Sequence, residues 1–277
     1  MKRARGACRG TRRRSGRAGG GDGGEIELDA GEDSLGGIHV GGGVAVGSGS
    51  LSLQASQASA FGGDGGGLDV EAAGPIYVDS AVPIRAGASV NFEGSGGSVS
   101  FHSGDDSDAV GPLDGTLELQ GQIIARSGAL GGFGGDLEAV AGRSLTIGSA
   151  IDLGGKDGGG EVSAGAGNGF VLTGAITADA TSSTGSAGTF AVDACTVDVR
   201  SSGMIAVPGQ WGGRIELIGR NQVTVSASST VTAGTGGSNR LVTRTVSAQN
   251  PNTGGTMSQF APAPVVVADP TLGPCSP

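Results

Sequence analysis

Leu145-Thr146-Ile147-Gly148-Ser149-Ala150-Ile151-Asp152-Leu153 contains two apolar-x-apolar triplets separated by three small residues. The arrangement returns as Phe170-Val171-Leu172 with Ile176-Thr177-Ala178, as Val197-Asp198-Val199 with Ile205-Ala206-Val207, and as Val223-Thr224-Val225 with Val231-Thr232-Ala233. The first triplets begin at 145, 170, 197 and 223, in steps of 25, 27 and 26 residues. A further triplet precedes each pair and follows a glycine cluster: Leu137-Glu138-Ala139, Val162-Ser163-Ala164, Phe190-Ala191-Val192 and Ile215-Glu216-Leu217. Alternation puts two side chains of each triplet on one face of a strand and one on the other. A strand this short is unstable alone, and it persists only if an identical strand stacks on it. Three such strands in about 26 residues predict an all-β, single-stranded parallel β-helix with three short strands per coil. Its winding is expected to be right-handed, by the rule for parallel crossovers.

Working outward, the pattern loosens toward the N-terminus. Ile38-His39-Val40 with Val44-Ala45-Val46, Ile76-Tyr77-Val78 with Val82-Pro83-Ile84, and Leu117-Glu118-Leu119 with Ile123-Ile124-Ala125 are spaced 38 and 41 residues apart. Ile26-Glu27-Leu28 and Leu68-Asp69-Val70 supply the leading triplet for two of these coils. Leu51-Ser52-Leu53, Val90-Asn91-Phe92 and Val99-Ser100-Phe101 are left over, as extra rungs or as loop hairpins. Pro83, read as a mid-strand residue, predicts a local break in the ladder. After Gly234 the pattern fades. The expected organisation is therefore a basic disordered leader or mis-assigned start over 1–18, a parallel β-helix over 19–233, and an extended Pro-containing cap or tail over 234–277.

Composition fits this reading. Of 277 residues 59 are Gly, about three times the usual share. Glycine does not recur at every third position and there are only 10 Pro, which excludes collagen. The 36% hydrophobic residues fall in regular clusters, unlike a disordered chain. Residues 1–18 carry eight basic and no acidic side chains, whereas the remainder carries nine basic and 26 acidic. An acidic body disfavours nucleic acid as a partner. No apolar run follows the basic head and none is long enough for a membrane helix, so there is no transmembrane segment. The fold type nevertheless favours export, which implies that an export segment lies upstream of a truncated or mis-assigned start. Three cysteines lack metal-ligand spacing, and Cys195–Cys275 is the candidate disulfide, pinning the tail to the last coils.

The block Gly20-Gly21-Asp22-Gly23-Gly24-Glu25-Ile26-Glu27-Leu28 and the stretch from Leu145 to Gly155 resemble the repeats of bacterial filamentous-haemagglutinin-type and autotransporter-passenger β-helices. The resemblance covers roughly residues 20–233 and is one of repeat style, with no motif on which to carry a functional residue. It implies a secreted or cell-surface protein acting as adhesin, stalk or matrix scaffold, with cell-surface glycans or other surface proteins as partners.

The most enzyme-like stretch is Phe101-His102-Ser103-Gly104-Asp105-Asp106-Ser107-Asp108. Paired carboxylates are what glycoside hydrolysis requires. Asp105, Asp106 and Asp108 are accordingly the candidate catalytic residues of a polysaccharide lyase or hydrolase, and equally the candidate ligands of a calcium ion. A plain solvated loop is the favoured reading, because no Lys or Arg base is near in sequence. The runs Gly62-Gly63-Asp64-Gly65-Gly66-Gly67 and Gly20-Gly21-Asp22-Gly23-Gly24 lack the sixth-position Asp and tandem period of calcium-binding nonapeptides. Glu27, Asp69, Glu138 and Glu216 hold equivalent outward places and form an acidic column, broken at Ser163 and Ala191, that calcium could bridge, although a solvated face is favoured. The second-strand column, His39, Tyr77, Glu118, Thr146, Val171, Asp198 and Thr224, has no regular chemistry. The expected function is a non-catalytic scaffold without cofactor. The alternatives are a carbohydrate-active enzyme and a calcium-dependent structural module. Carboxylates and a basic residue converging across adjacent coils would favour the enzyme, and a smooth surface with short loops the scaffold.

Overall fold

A computed structural model describes residues 63–275 apart from 73, 89–90, 105–114 and 246–258, together with the backbone of three earlier strands. The first coil contains β1 (Glu25–Ala30), β2 (Ile38–Val40) and β3 (Leu51–Ser52). The second contains β4 (Gly67–Ala72), β5 (Ile76–Val78) and β6 (Ile84–Arg85). The third contains β7 (Ser98–Ser103), β8 (Thr116–Leu119) and β9 (Ile123–Ile124). The fourth contains β10 (Asp136–Ala141), β11 (Ser144–Ile147) and β12 (Ile151–Asp152). Then follow β13 (Glu161–Leu172) with β14 (Ala175–Thr177), β15 (Thr189–Val199) with β16 (Met204–Ala206), and β17 (Arg214–Val225) with β18 (Thr230–Thr232). The chain closes with β19 (Ser238–Thr243), β20 (Phe260–Ala261) and β21 (Val265–Ala268).

Every strand pair among the described residues is parallel, and the fold is a β-solenoid with about 27 residues per turn. Three apolar columns run along it. Leu68, Val99, Leu137, Val162, Phe190 and Ile215 stack on the first face. Ile76, Leu117, Leu145, Phe170, Val197 and Val223 stack on the second, and Ile84, Ile123, Ile151, Ile176, Ile205 and Val231 on the third. These residues are all essentially inaccessible to solvent. Phe170 and Phe190 add a tilted aromatic contact, with ring centroids 6.3 Å apart.

The structure revises several details. From β13 onward the first two faces share one strand, bent at a bulge where the register shifts between Ala166 and Gly169 and between Ala194 and Thr196. The triplet Val99-Ser100-Phe101 is a rung, the leading strand of the third coil. In the first coil it is Leu51–Ser52 that pairs with Ile84–Arg85, while Val44-Ala45-Val46 lies outside the described residues. Pro83 does not break the ladder, because β6 begins one residue later and the Ile84 N–H donates to the Gln122 carbonyl at 2.8 Å. The ladder also runs past residue 233: β19 pairs with β17, β20 with β18 and β21 with β19. Its sequence signature is lost there because Asn239 and Gln259 are buried in the last turn, and Asn239 takes the place below it held by Ile215.

The glycine clusters have a specific task. Gly97, Gly135, Gly160 and Gly188 each donate their N–H back to a residue at the end of the third face: Ala86 (2.7 Å), Ala125 (2.7 Å), Leu153 (2.9 Å) and Ala178 (3.1 Å). A Cβ on Gly160 would lie 1.9 Å from the carbonyl oxygen of Gly135, and one on Gly135 would lie 2.2 Å from that of Gly97. These glycines are required for close backbone approach, and positive φ occurs elsewhere, as at Gly94 and Gly132. By contrast, a Cβ on Gly165 would meet nothing closer than the Val140 side chain at 4.0 Å. Gly160→Ala is therefore expected to destabilise the protein by about 1–3 kcal/mol. Gly165→Ala is expected to be neutral or slightly stabilising, since glycine inside a strand carries an entropic cost. Denaturant melts of the two variants check this; equal losses would refute the close-approach account.

Candidate functional site

Asp105, Asp106 and Asp108 lie outside the described residues, which end at Gly104 on one side and resume at Gly115 on the other. Of the same stretch, His102 faces outward from β7, with Nε2 3.9 Å from Oε1 of Glu138 on the next rung. The acidic column is less continuous than expected. Ser100 adds a break between Asp69 and Glu138 to those expected at Ser163 and Ala191 between Glu138 and Glu216. Glu216 is held by Arg214 at 2.7 Å and by Arg240, its partner on the next rung. Among the described residues no group of three or more His, Cys, Asp or Glu is placed to hold a metal ion. Asp64, from one of the Gly/Asp runs, accepts a bond from the Ser95 N–H at 2.7 Å, so it ties one turn to the next.

Cys195 and Cys275 form a disulfide across 80 residues of sequence. Cys195 is the single residue at the bend of β15, where β13 and β17 each have two. The chain leaving β21 is thereby fastened back onto β15, three rungs down the stack, across β19 and β17.

Among the described residues, two open grooves flank the corner between the third and first faces. The larger, about 400 Å³, is lined by Arg85, Ile124, Arg126, Ser127, Lys156 and Thr181 over a floor of Gly and Ala. Arg85 follows Ile84 at the end of β6 and projects outward, in register with Ile124 and then Asp152 on the next rungs. Arg126 Nη1 lies 2.9 Å from Asp152 Oδ2, and its Nη2 lies 3.8 Å from Asp179 Oδ1. Gly154 makes room for this: a Cβ there would sit 2.3 Å from Asp179 Oδ1 and 2.8 Å from Arg126 Nη2. Lys156 donates from Nζ to the Leu130 carbonyl at 2.8 Å and from its backbone N–H to Ser127 Oγ at 2.9 Å. Carboxylates and a cation do converge across three coils here. Arg126 cannot serve as a proton acceptor, however, because its guanidinium stays charged in proteins. Asp152 is already engaged, with Oδ1 accepting bonds from the Gly154 N–H (3.2 Å) and Thr177 Oγ1 (3.4 Å). The cluster works as an inter-rung clamp.

The second groove, about 380 Å³, is lined by Phe133, Asp136, Glu161 and Thr189 over a glycine floor. Asp136 and Glu161 are direct neighbours on adjacent rungs, and Phe133 stands 58% exposed beside them, against Gly158. Desolvation by the surrounding protein raises the Asp136 carboxyl above its usual range, opposed by a bond from the Glu161 N–H. Neither groove was anticipated as a site. The signal was present in the spacing: Arg126, Asp152 and Asp179 are 26 and 27 residues apart, and Asp136 and Glu161 are 25 apart, one coil in each case.

A raised carboxyl disfavours the charged form in the folded state. Its contribution is present below the unfolded value near 3.8 and is lost as pH rises through the folded value. Asp136→Asn keeps an acceptor for the Glu161 N–H and removes the charge. It is expected to raise the melting temperature at neutral pH, and the gain should vanish as pH falls below the carboxyl range. A gain independent of pH would contradict the assignment.

Comparison with protein-family models, characterised protein sequences and solved structures finds no match to this chain, so the geometry itself carries the functional reading.

Proposed function

We propose that this protein is a non-catalytic, exported β-solenoid scaffold that serves at the cell surface or in the extracellular matrix as adhesin or stalk, in the style of filamentous-haemagglutinin and autotransporter-passenger repeats. The observation that carries the reading is the parallel ladder running to β21 and fastened by the Cys195–Cys275 disulfide. Such a ladder commits the patterned residues to stacking, and disulfides persist mainly in oxidising, extracytoplasmic compartments. The outward columns support it further. Ser98, Asp136, Glu161, Thr189, Arg214 and Ser238 follow one another along one column without a repeated chemistry.

The alternative from another class is a carbohydrate-active enzyme. One observation favours it: the Asp136–Glu161 pair, with one raised carboxyl and an exposed aromatic wall, has the components of glycoside hydrolysis. A panel of neutral and acidic polysaccharides separates the two readings. The scaffold releases no product, whereas product release abolished by Asp136→Asn would overturn it. The disulfide gives a second expectation. Cys275→Ser, or reductant applied to the native protein, should lower stability by about 2–4 kcal/mol in denaturant melts. No change on reduction would remove the clamp from the argument.

A further inference from the structure

We propose that the groove bounded by Arg85, Arg126 and Lys156 binds an acidic polysaccharide through its carboxylate groups. The inference deepens the scaffold reading, in that it names the ligand class of a surface adhesin, and it rests on that reading for its biological setting. The physical argument starts from charge. The chain after residue 18 has 26 acidic against nine basic residues, yet three of the nine line this one groove on three successive coils. Arg126 is compensated by Asp152 and Asp179. Arg85 has no acidic partner among the described residues. Lys156 bonds only neutral oxygen there, the Leu130 carbonyl. Two positive charges therefore face the groove uncompensated, on either side of a fixed ion-paired arginine.

Geometry narrows the ligand. Arg85 and Lys156 are separated by two rung steps, about 10 Å along the solenoid axis. The groove follows that axis across four coils, from Arg85 to Thr181. A linear polymer with carboxylates at intervals matches both charges at once. Arginine grips a carboxylate through its planar fork, and lysine does so as a point charge. Gly87, Ala88, Gly128, Ala129 and Gly155 line the groove with nothing larger than a methyl group, which leaves room for the C–H face of a sugar ring. A nucleic acid fits less well. Among the described residues the groove contains no aromatic side chain for base stacking, and the acidic body repels a polymer charged at every residue.

The test is calorimetric titration of the whole protein with a short oligogalacturonate, its fully methyl-esterified form and an oligothymidylate. The free acid should bind, with affinity that falls as salt rises. The ester and the oligothymidylate should not. Arg85→Ala and Lys156→Glu should each weaken binding at least about tenfold, as expected for loss of one charge-assisted contact. Lys156→Arg should restore it, and unchanged melting curves exclude unfolding as the cause. Absence of binding, equal binding by the ester, tighter binding of the oligothymidylate, or unaltered affinity in both variants would each overturn the proposal. None of those outcomes touches the scaffold reading. That reading falls instead if the oligogalacturonate is cleaved, and groove binding would stand independently of such cleavage.

Discussion

The structure depends on a close backbone contact at one corner. Where the chain passes from the third face to the first, a glycine N–H reaches back to the carbonyl that ended the third face, as from Gly135 to Ala125 and from Gly160 to Leu153. The same glycines lie against the carbonyl of the glycine in the neighbouring coil, at a distance that no side chain tolerates. This contact separates the ladder from the loops. Whatever the corner loop contains, the chain re-enters the first face at the same point and in the same register. The stretches Ala86–Gly97, Ala125–Gly135 and Leu153–Gly160 differ in length, yet Val99, Leu137 and Val162 still stack without a slip.

That separation explains what could be read from sequence. The inward columns were legible because stacking imposes the same demand on every coil, and Leu145, Phe170, Val197 and Val223 satisfy it with apolar side chains at near-constant spacing. The earlier coils were harder because a variable loop changes the spacing without changing the register. Val99-Ser100-Phe101 looked superfluous for that reason, although it is the rung joining Leu68 to Leu137. The last turn was hidden for a different reason. Asn239 and Gln259 are buried there with side-chain amides bonded to the carbonyls of Pro262 and Val225, so the apolar pattern stops while the hydrogen-bond ladder continues.

The candidate sites show the same division. Asp105, Asp106 and Asp108 stood out because they are adjacent in sequence. In a solenoid, adjacency in sequence spreads side chains along one coil, and neighbours in space are one coil apart. Arg126, Asp152 and Asp179 meet although each is separated from the next by a whole turn. The acidic column is interrupted by the same logic: Glu27 and Asp69 are register partners, but Ser100 stands between Asp69 and Glu138. Like charges are thus kept off directly adjacent rungs at that point, where they would repel.

The corner that fixes the ladder also determines where function can reside. Inward positions are committed to the core, and a substitution there disturbs two neighbouring coils at once. Outward positions within strands are constrained by cross-rung pairing, as with Glu216 between Arg214 and Arg240. The loops closed by the glycine contact are free of both demands, and in repeat architectures such insertions commonly form the binding face. Both grooves lie against these loops. One is basic, around Arg85 and Lys156, and the other acidic, around Asp136 and Glu161.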